Sequence, residues 1–455
     1  MAVAPKTKDP PALEGTPERR AGERRRASTF AALRHRNYRL WFFGQMISLM
    51  GTWMQSMAQG WVVYQLTGSR LLLGMISFVG TVPTLFLMLP AGVLADRLSK
   101  KHVLLATQTT MMLLAFILAV LAGTKVLQVW QIALLSVGSG IANSFDAPAR
   151  QALAVEMVED RRDLMNAIAM NSTMFNIGRI AGPALAGIVL AQWGATWCFA
   201  LNGVSFLAVI AALAAMRLPD LPRASRSETV KAQIMVGLRY VWGSITVRTI
   251  IAVSGVASLF AMSYAVLFPA LAADIFHEGE RGLAALTAAM GAGALMGSLT
   301  VASLGEYRRK GVLLTAGNIL FPLALLLFAF LPSVAPALLG DAFGLGFRVG
   351  WLGLTFSPLF VVSLLTLLVV GWGAMVQNAT ANTLVQSIVP DEIRGRVMSV
   401  YMLVFFGSMP FGSLQMGALA QVLGPSVGIA IGAAVALAFA VFTLLAVPKV
   451  RQLEI

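Results

Sequence analysis

Cysteine is all but missing from this chain. Cys198 stands alone among 455 residues, which excludes an internal disulfide and any cysteine-rich metal site. Histidine is nearly as scarce: His35, His102 and His277 lie at or beyond the ends of the apolar segments. No acid–base or metal-binding cluster can be assembled from them, so an enzyme is not expected, and neither a metal nor a cofactor is. No Gly-x-x-x-x-Gly-Lys-Ser/Thr loop is present to cradle a nucleotide, which argues against an ATP-driven pump. Charge is thin as well, at 12% of residues, whereas a soluble domain carries roughly a quarter. Hydrophobic residues fill the gap at 58%, with a mean hydropathy of +0.78. Lipid is the solvent that suits such a chain.

A bilayer crossing needs roughly 20 apolar residues. Runs of that kind recur near 39–66, 72–95, 102–123, 129–151, 164–192, 196–216, 246–273, 281–304, 312–331, 357–388, 397–422 and 426–447. The expected fold is an all-α membrane protein with twelve transmembrane helices in two six-helix halves. The net charge of +14 sits in short loops. One set of loops holds Arg97, Lys100 and Lys101, then Arg150, Arg161 and Arg162, and later Arg308, Arg309, Lys310, Arg394 and Arg396. The alternate set holds Arg70, Lys125, Arg281 and Arg348. Basic loops stay in the cytoplasm, so both termini are expected there, with the chain multi-pass in the cell (inner) membrane. Bases so distributed orient spans and give no sign of nucleic-acid binding.

Residues 1–37 have no apolar period and read as a disordered cytoplasmic tail. Residues 38–216 form the first half, 217–245 a cytoplasmic linker, and 246–455 the second half. Within the linker, Val230, Ile234, Leu238 and Trp242 fall four apart, with Lys231 and Arg239 on another face. That pattern predicts an amphipathic helix along the membrane surface. The segment 333–356 is Gly-rich and aromatic, and reads either as an interfacial loop or as a re-entrant piece. The halves echo each other: "ADRLSKKHVLL" returns loosely as "GEYRRKGVLL", and "VEDRRDLMNAIAMN" as "VPDEIRGRVMSVYM". Internal repeats of this sort mark secondary transporters.

Polar residues inside spans follow helical steps. Gln45, Ser48, Thr52, Gln55 and Gln59 share one face of the first span, and Ser136, Ser139, Asn143, Asp146 and Arg150 one face of the fourth. Such stripes must face protein or water rather than lipid. Helix–helix hydrogen bonding is one reading, a wet central cavity the other. Ser258 in the seventh span, with Trp372 and Gln377 in the tenth, extends the candidate lining. The fifth span, "NSTMFNIGRIAGPALAG", carries Gly178, Gly182, Pro183 and Gly187, spaced for close helix approach and a bend. Arg179 lies deep within it, with Asn176 on the same face. An intramembrane arginine is costly and marks a functional site.

"AGVLADRLSKK" ends the second span with Gly92, Asp96, Arg97, Lys100 and Lys101. Asp96 is placed to accept from a facing helix N-terminus, and the bases to anchor the loop in anionic headgroups. The stretch resembles motif A of the major facilitator superfamily, with Ser99 in a usual glycine place and Lys100 and Lys101 for arginines. "GRIAGPALAG" resembles motif C of that superfamily, which marks proton-coupled exporters; Ala186 stands where glycine is common. "RNYRLWFFGQMISLMGTWMQ", "YQLTGS" and "FDAPARQALAVEMV" are similar to the branch of enterobactin exporters, macrolide efflux proteins and transmembrane secretion effectors. The resemblance implies alternating access between two rocking halves, with Asp96 meeting the eleventh span. It implies that Asp146 and Arg150 lock the inner gate and that coupling is by proton antiport; with no deep carboxylate in the spans of the first half, either Asp146 is the proton carrier or the cycle uses another group or ion. The partners implied are an amphipathic small molecule such as a siderophore or drug, protons and the bilayer, for a monomeric chain. An uptake symporter or a lysolipid flippase on the same fold is the alternative.

Overall fold

A computed structural model describes residues 31–158, 163–216, 230–304, 309–339, 347–349 and 354–453. Long helices follow one another: α1 (Arg36–Thr67), α2 (Arg70–Arg97), α3 (Lys100–Gly123), α4 (Val129–Glu156), α5 (Leu164–Trp193) and α6 (Ala195–Ala215). A shorter α7 (Val230–Gly243) leads to α8 (Ile245–Val256). That helix runs on through a π turn, a 3-10 stretch, α9 (Phe268–Ala270) and a second π turn. Then come α10 (Gly279–Ser303), α11 (Lys310–Leu339), α12 (Pro358–Ile388), α13 (Asp391–Leu423), α14 (Pro425–Ala446) and α15 (Pro448–Arg451). The connections are tight where glycine permits them. Gly68 takes φ +59° between α1 and α2, and Gly194 takes φ +82° between α5 and α6.

Among the described residues, ten helices are long and apolar enough to cross a membrane, with 245–275 counted as one. The two long helices outside that set are α1 and α4, of 32 and 28 residues. They reach about 48 and 42 Å at 1.5 Å per residue, and they fall short in apolarity because they carry the polar stripes. Helices α1–α6 pack with one another through α1 on α5 and α6, α2 on α4, and α3 on α4 and α6. The second bundle is built from α10 and α11 on α12, α11 on α14, and α13 on α14 and α8. Two seams join the bundles, α2 on α13 and α5 on α10.

The arrangement adds detail to three stretches read from the sequence. The tail ends earlier than residue 37: Ala31–Arg34 form a 3-10 turn with Ala31 and Ala32 buried. Asn166 Oδ1 accepts from the Ala32 N–H at 2.9 Å, and His35 meets Asp163 at 3.0 Å. These bonds order a stretch without an apolar period. The segment 333–356 begins inside α11 and ends in a small antiparallel hairpin, Phe347–Val349 against Leu354–Phe356. The side of the linker helix that packs on protein is not the apolar face read from spacing, which stays open. Gly237 and Val241 pack on α13, a Cβ on Gly237 falling 2.5 Å from the Arg396 carbonyl, while Leu238 and Trp242 are exposed. Val230, Lys231 and Ile234 lie in α7 with side chains outside the described set.

Candidate substrate cavity and its closure

A cavity of about 630 Å³ lies between the two bundles. Its wall on the first side comes from α1, which contributes from Thr52 to Val63, and from α2 and α4; Pro183 of α5 and Asn202 of α6 complete it. From the stripes, Thr52, Gln55, Gln59, Ser136, Ser139 and Asn143 line it. Cross-helix bonds set their orientation. Gln59 Nε2 donates to Ser136 Oγ at 3.0 Å, and Asn202 Nδ2 donates to Gln55 Oε1 at 2.7 Å. Thr52 bonds back to the Ser48 carbonyl at 2.9 Å, as hydroxyls on helices often do. Cavity lining and helix–helix bonding therefore share the same stripe.

The opposing wall is different in kind. Met262, Ser263, Ala265, Val266, Phe268 and Pro269 all come from the irregular stretch after α8. Its π turns at Ala257–Ala261 and Leu271–Ile275 flank a 3-10 run at Met262–Leu267. Pro269 has no N–H to offer the preceding turn, and irregular backbone at membrane depth persists where it borders protein or a cavity. Interrupted helices beside a midplane site recur among transporters. Sequence spacing predicts a continuous seventh span; the Phe268–Pro269 pair is the one local signal for the break.

Several expected lining residues stand outside the wall. Gln45 and Ser48 are buried in the α1 interface, and the Gln45 Oε1 lacks a partner. Ser258 Oγ donates to the Phe405 carbonyl at 2.6 Å, Trp372 Nε1 donates to Thr300 Oγ1 at 3.0 Å, and Gln377 is buried at the α11–α12 contact. Asn176 bonds back to the Ser172 carbonyl at 2.9 Å and receives Arg179 Nη2 at 3.2 Å. The Arg179 Nε is enclosed without a partner, and no carboxylate pairs with this guanidinium among the described residues. Its backbone carbonyl lies on the α5–α10 seam, where a Cβ on Gly291 would come within 3.3 Å. The stripe rule identifies polar faces; which neighbour covers each turn decides who reaches the cavity.

The glycines of α5 serve close packing. A Cβ on Gly182 would fall 2.6 Å from Trp53 Cβ, and one on Gly178 2.9 Å from Leu49 Cγ, both on α1. On Gly187 it would fall 2.3 Å from Ala284 Cβ across the seam on α10. Pro183, between them, reaches the cavity.

One end of the molecule is sealed by contacts between bundles. Arg70 Nη2 meets Asp274 Oδ2 at 2.7 Å, and the Tyr64 hydroxyl donates to the same oxygen. Gln421 Oε1 accepts from the N–H groups of Arg70 at 2.9 Å and Leu71 at 3.3 Å, capping α2 from the other bundle. Beneath them a Cβ on Gly74 would sit 2.4 Å from the Ser413 carbonyl. Beside the seal, Glu278 accepts the Ser357 N–H at 3.3 Å. Burial pushes its carboxyl above the usual range, the Ser357 bond offsetting part of that. Sequence spacing does not reveal this seal. Its signal is Arg70, one of few bases in its set of loops, with Asp274 at the far end of an apolar run.

At the basic end, the described polar contacts remain within one bundle. Asp146 is buried and held by Thr107 at 3.1 Å, Gln108 at 2.7 Å and Arg150 at 3.3 Å, all from α3 and α4. Lys100 pairs with Glu156, and Lys101 donates to the Met216 carbonyl at 2.9 Å and that of Ala214 at 3.2 Å. Carbonyls left free at the end of α6 thus hold the Lys101 ammonium, as cations near a helix C-terminus often are. Gly92, Asp96 and Arg97 belong to α2, with side chains outside the described set.

This architecture is that of a major facilitator superfamily transporter, and not of an enzyme. The chain belongs to the transmembrane secretion effector family, which it matches over residues 27–349 and 338–455. It is 27% identical over 391 residues to the multidrug efflux pump Tap of Mycolicibacterium fortuitum, covering 84% of this chain and 88% of that one. It is 26% identical over 388 residues to the staphyloferrin A transporter of Staphylococcus aureus (84% and 89% covered). It is 25% identical over 393 residues to the enterobactin exporter EntS of Shigella boydii (86% and 87%). Among solved structures, a POT family transporter in complex with 5-aminolevulinic acid superposes with a TM-score of 0.67 at 12% identity, over 91% of this chain and 96% of that one. The nucleoside transporter NupG gives 0.65 at 15%, over 92% and 99%.

Proposed function

We propose that this protein is a secondary active efflux transporter that moves amphipathic small molecules by alternating access, driven by proton antiport. The observation that carries the reading is the cavity between two bundles, sealed at one end by Arg70, Asp274, Tyr64 and Gln421. Twelve spans serve it, α1 and α4 included, in halves 38–216 and 246–455 joined by 217–245. The basic loops lie at the unsealed end, so the positive-inside rule puts that end and both termini in the cytoplasm of a monomeric chain. Cargo enters the cavity from inside; breaking the seal and closing the basic end releases it outside.

Each candidate residue then has a task. Thr52, Gln55, Gln59, Ser139 and Asn143 contact cargo from the first wall. Gly178, Gly182, Pro183 and Gly187 keep α5 against α1 and α10 through the rocking motion. Arg179, with Asn176, acts at the α5–α10 seam rather than in the wall. Asp96, with Gly92 and Arg97, forms the inner latch with α13, Lys100 and Lys101 brace the loop that carries it within the first bundle, and Asp146 with Arg150 carries the proton beside it. Multidrug and siderophore transporters among the relatives support export.

Proteoliposomes with an imposed pH gradient test the proposal. Outward movement of a drug panel that collapses with the gradient is expected, and Asp146→Asn should abolish the gradient dependence while sparing downhill exchange. Inward accumulation of the panel would establish uptake instead.

A further inference from the structure

We infer that the cavity takes an electrically neutral amphiphile, with its hydrogen-bonding face against α1 and α4 and its apolar face against the broken helix, α10 and α13. The inference rests on the efflux reading and narrows its substrate class. The described residues that form the wall carry no formal charge. Ionisable groups around it are turned away from the wall: Asp146 toward Gln108 and Arg150, Arg70 toward Asp274, and Arg179 toward Asn176 behind the lining. An ion entering this space would leave water with no wall charge to pair it, a desolvation cost that grows steeply at low dielectric. An amide or hydroxyl faces no such cost, because the wall supplies partners.

Gln55 and Gln59 define that polar face. Asn202 occupies the Gln55 Oε1, which leaves its Nε2 as a donor; Ser136 occupies the Gln59 Nε2, which leaves its Oε1 as an acceptor. Four residues apart on one helix face, they are offset by about 6 Å along the axis. A fixed donor and acceptor at that spacing suit an amide, diol or hydroxyketone. Across the cavity, Met262, Met290, Met409 and Phe268 give a pliable apolar surface, as thioethers adapt to varied shapes. A volume of about 630 Å³ is that of a drug-sized ligand site.

The test uses purified full-length protein in nanodiscs and three radiolabelled probes: chloramphenicol (neutral), tetraphenylphosphonium (cationic) and taurocholate (anionic). Chloramphenicol is expected to bind at least about tenfold more tightly than either ion. Gln59→Glu, and separately Thr81→Asp on the same wall, should raise tetraphenylphosphonium affinity at least about tenfold in protein that still unfolds cooperatively. Either ion binding wild-type protein as tightly as chloramphenicol overturns the inference, and so does absence of chloramphenicol binding. Uptake into everted vesicles separates the two claims. Ions moved as fast as chloramphenicol would remove neutrality and leave efflux standing. Chloramphenicol bound but moved in neither direction would leave the neutral site and remove efflux.

Discussion

At the sealed end the polar contacts cross from one bundle to the other, with Arg70 on Asp274 and Gln421 capping α2, over a glycine-thin seam where Gly74 meets Ser413. At the basic end the described contacts, Lys101 on the α6 carbonyls and Asp146 on Gln108, brace a single bundle. The difference separates gating from bracing. A contact that seals one end between the bundles exists in one conformation and is lost in the other, so it biases the equilibrium. A contact within a bundle is carried along by either state and contributes equally to both.

Altering the seam has the largest expected effect. Gly74→Val forces a side chain against the Ser413 carbonyl, and overpacking costs about 1–3 kcal/mol. A cysteine at Asn143 should then react with an impermeant maleimide from the basic side roughly five- to 150-fold more slowly. Gln421→Ala removes the acceptor shared by the first turn of α2, a loss of about 1 kcal/mol on the scale of helix capping, with the same readout moving about fivefold. Asp274→Asn weakens a partly exposed ion pair and should move it less, by about 0.2–1 kcal/mol; high salt on wild-type protein should reproduce part of that shift.

Lys101→Met removes a brace at the basic end. It should lower thermal stability by about 0.5–1 kcal/mol while leaving Asn143 labelling unchanged; a changed labelling rate would make Lys101 a gate residue. The smallest effect belongs to Glu278. Its folded-state carboxyl titrates above the ordinary 4.5 because of burial, so in the window above 4.5 the folded chain holds more protons than the unfolded one. Stability therefore falls as pH rises through that window. Glu278→Gln keeps the acceptor for Ser357 and should flatten the slope, which melting curves across the window would register.

The polar stripes are legible in the sequence because a step of three or four residues maps directly onto one helix face. Spacing alone therefore points to Thr52, Gln55, Gln59, Ser139 and Asn143, and the glycines of the fifth span announce close packing. The same rule assigns Gln45, Ser258 and Gln377 to the lining, yet neighbouring helices cover those turns. It gives no hint that Asn202 orients Gln55, or that Gln108 holds Asp146, because those partners lie many residues away on other helices.

Composition and periodicity alone determined a helical membrane chain, its basic loops and its polar faces, since each depends on local spacing and on transfer from water to lipid. Tertiary structure decided which polar faces meet a cavity, where the seventh helix breaks, and that Arg70 finds Asp274. These depend on which helix ends come together, and no local pattern encodes an encounter between residues 204 positions apart.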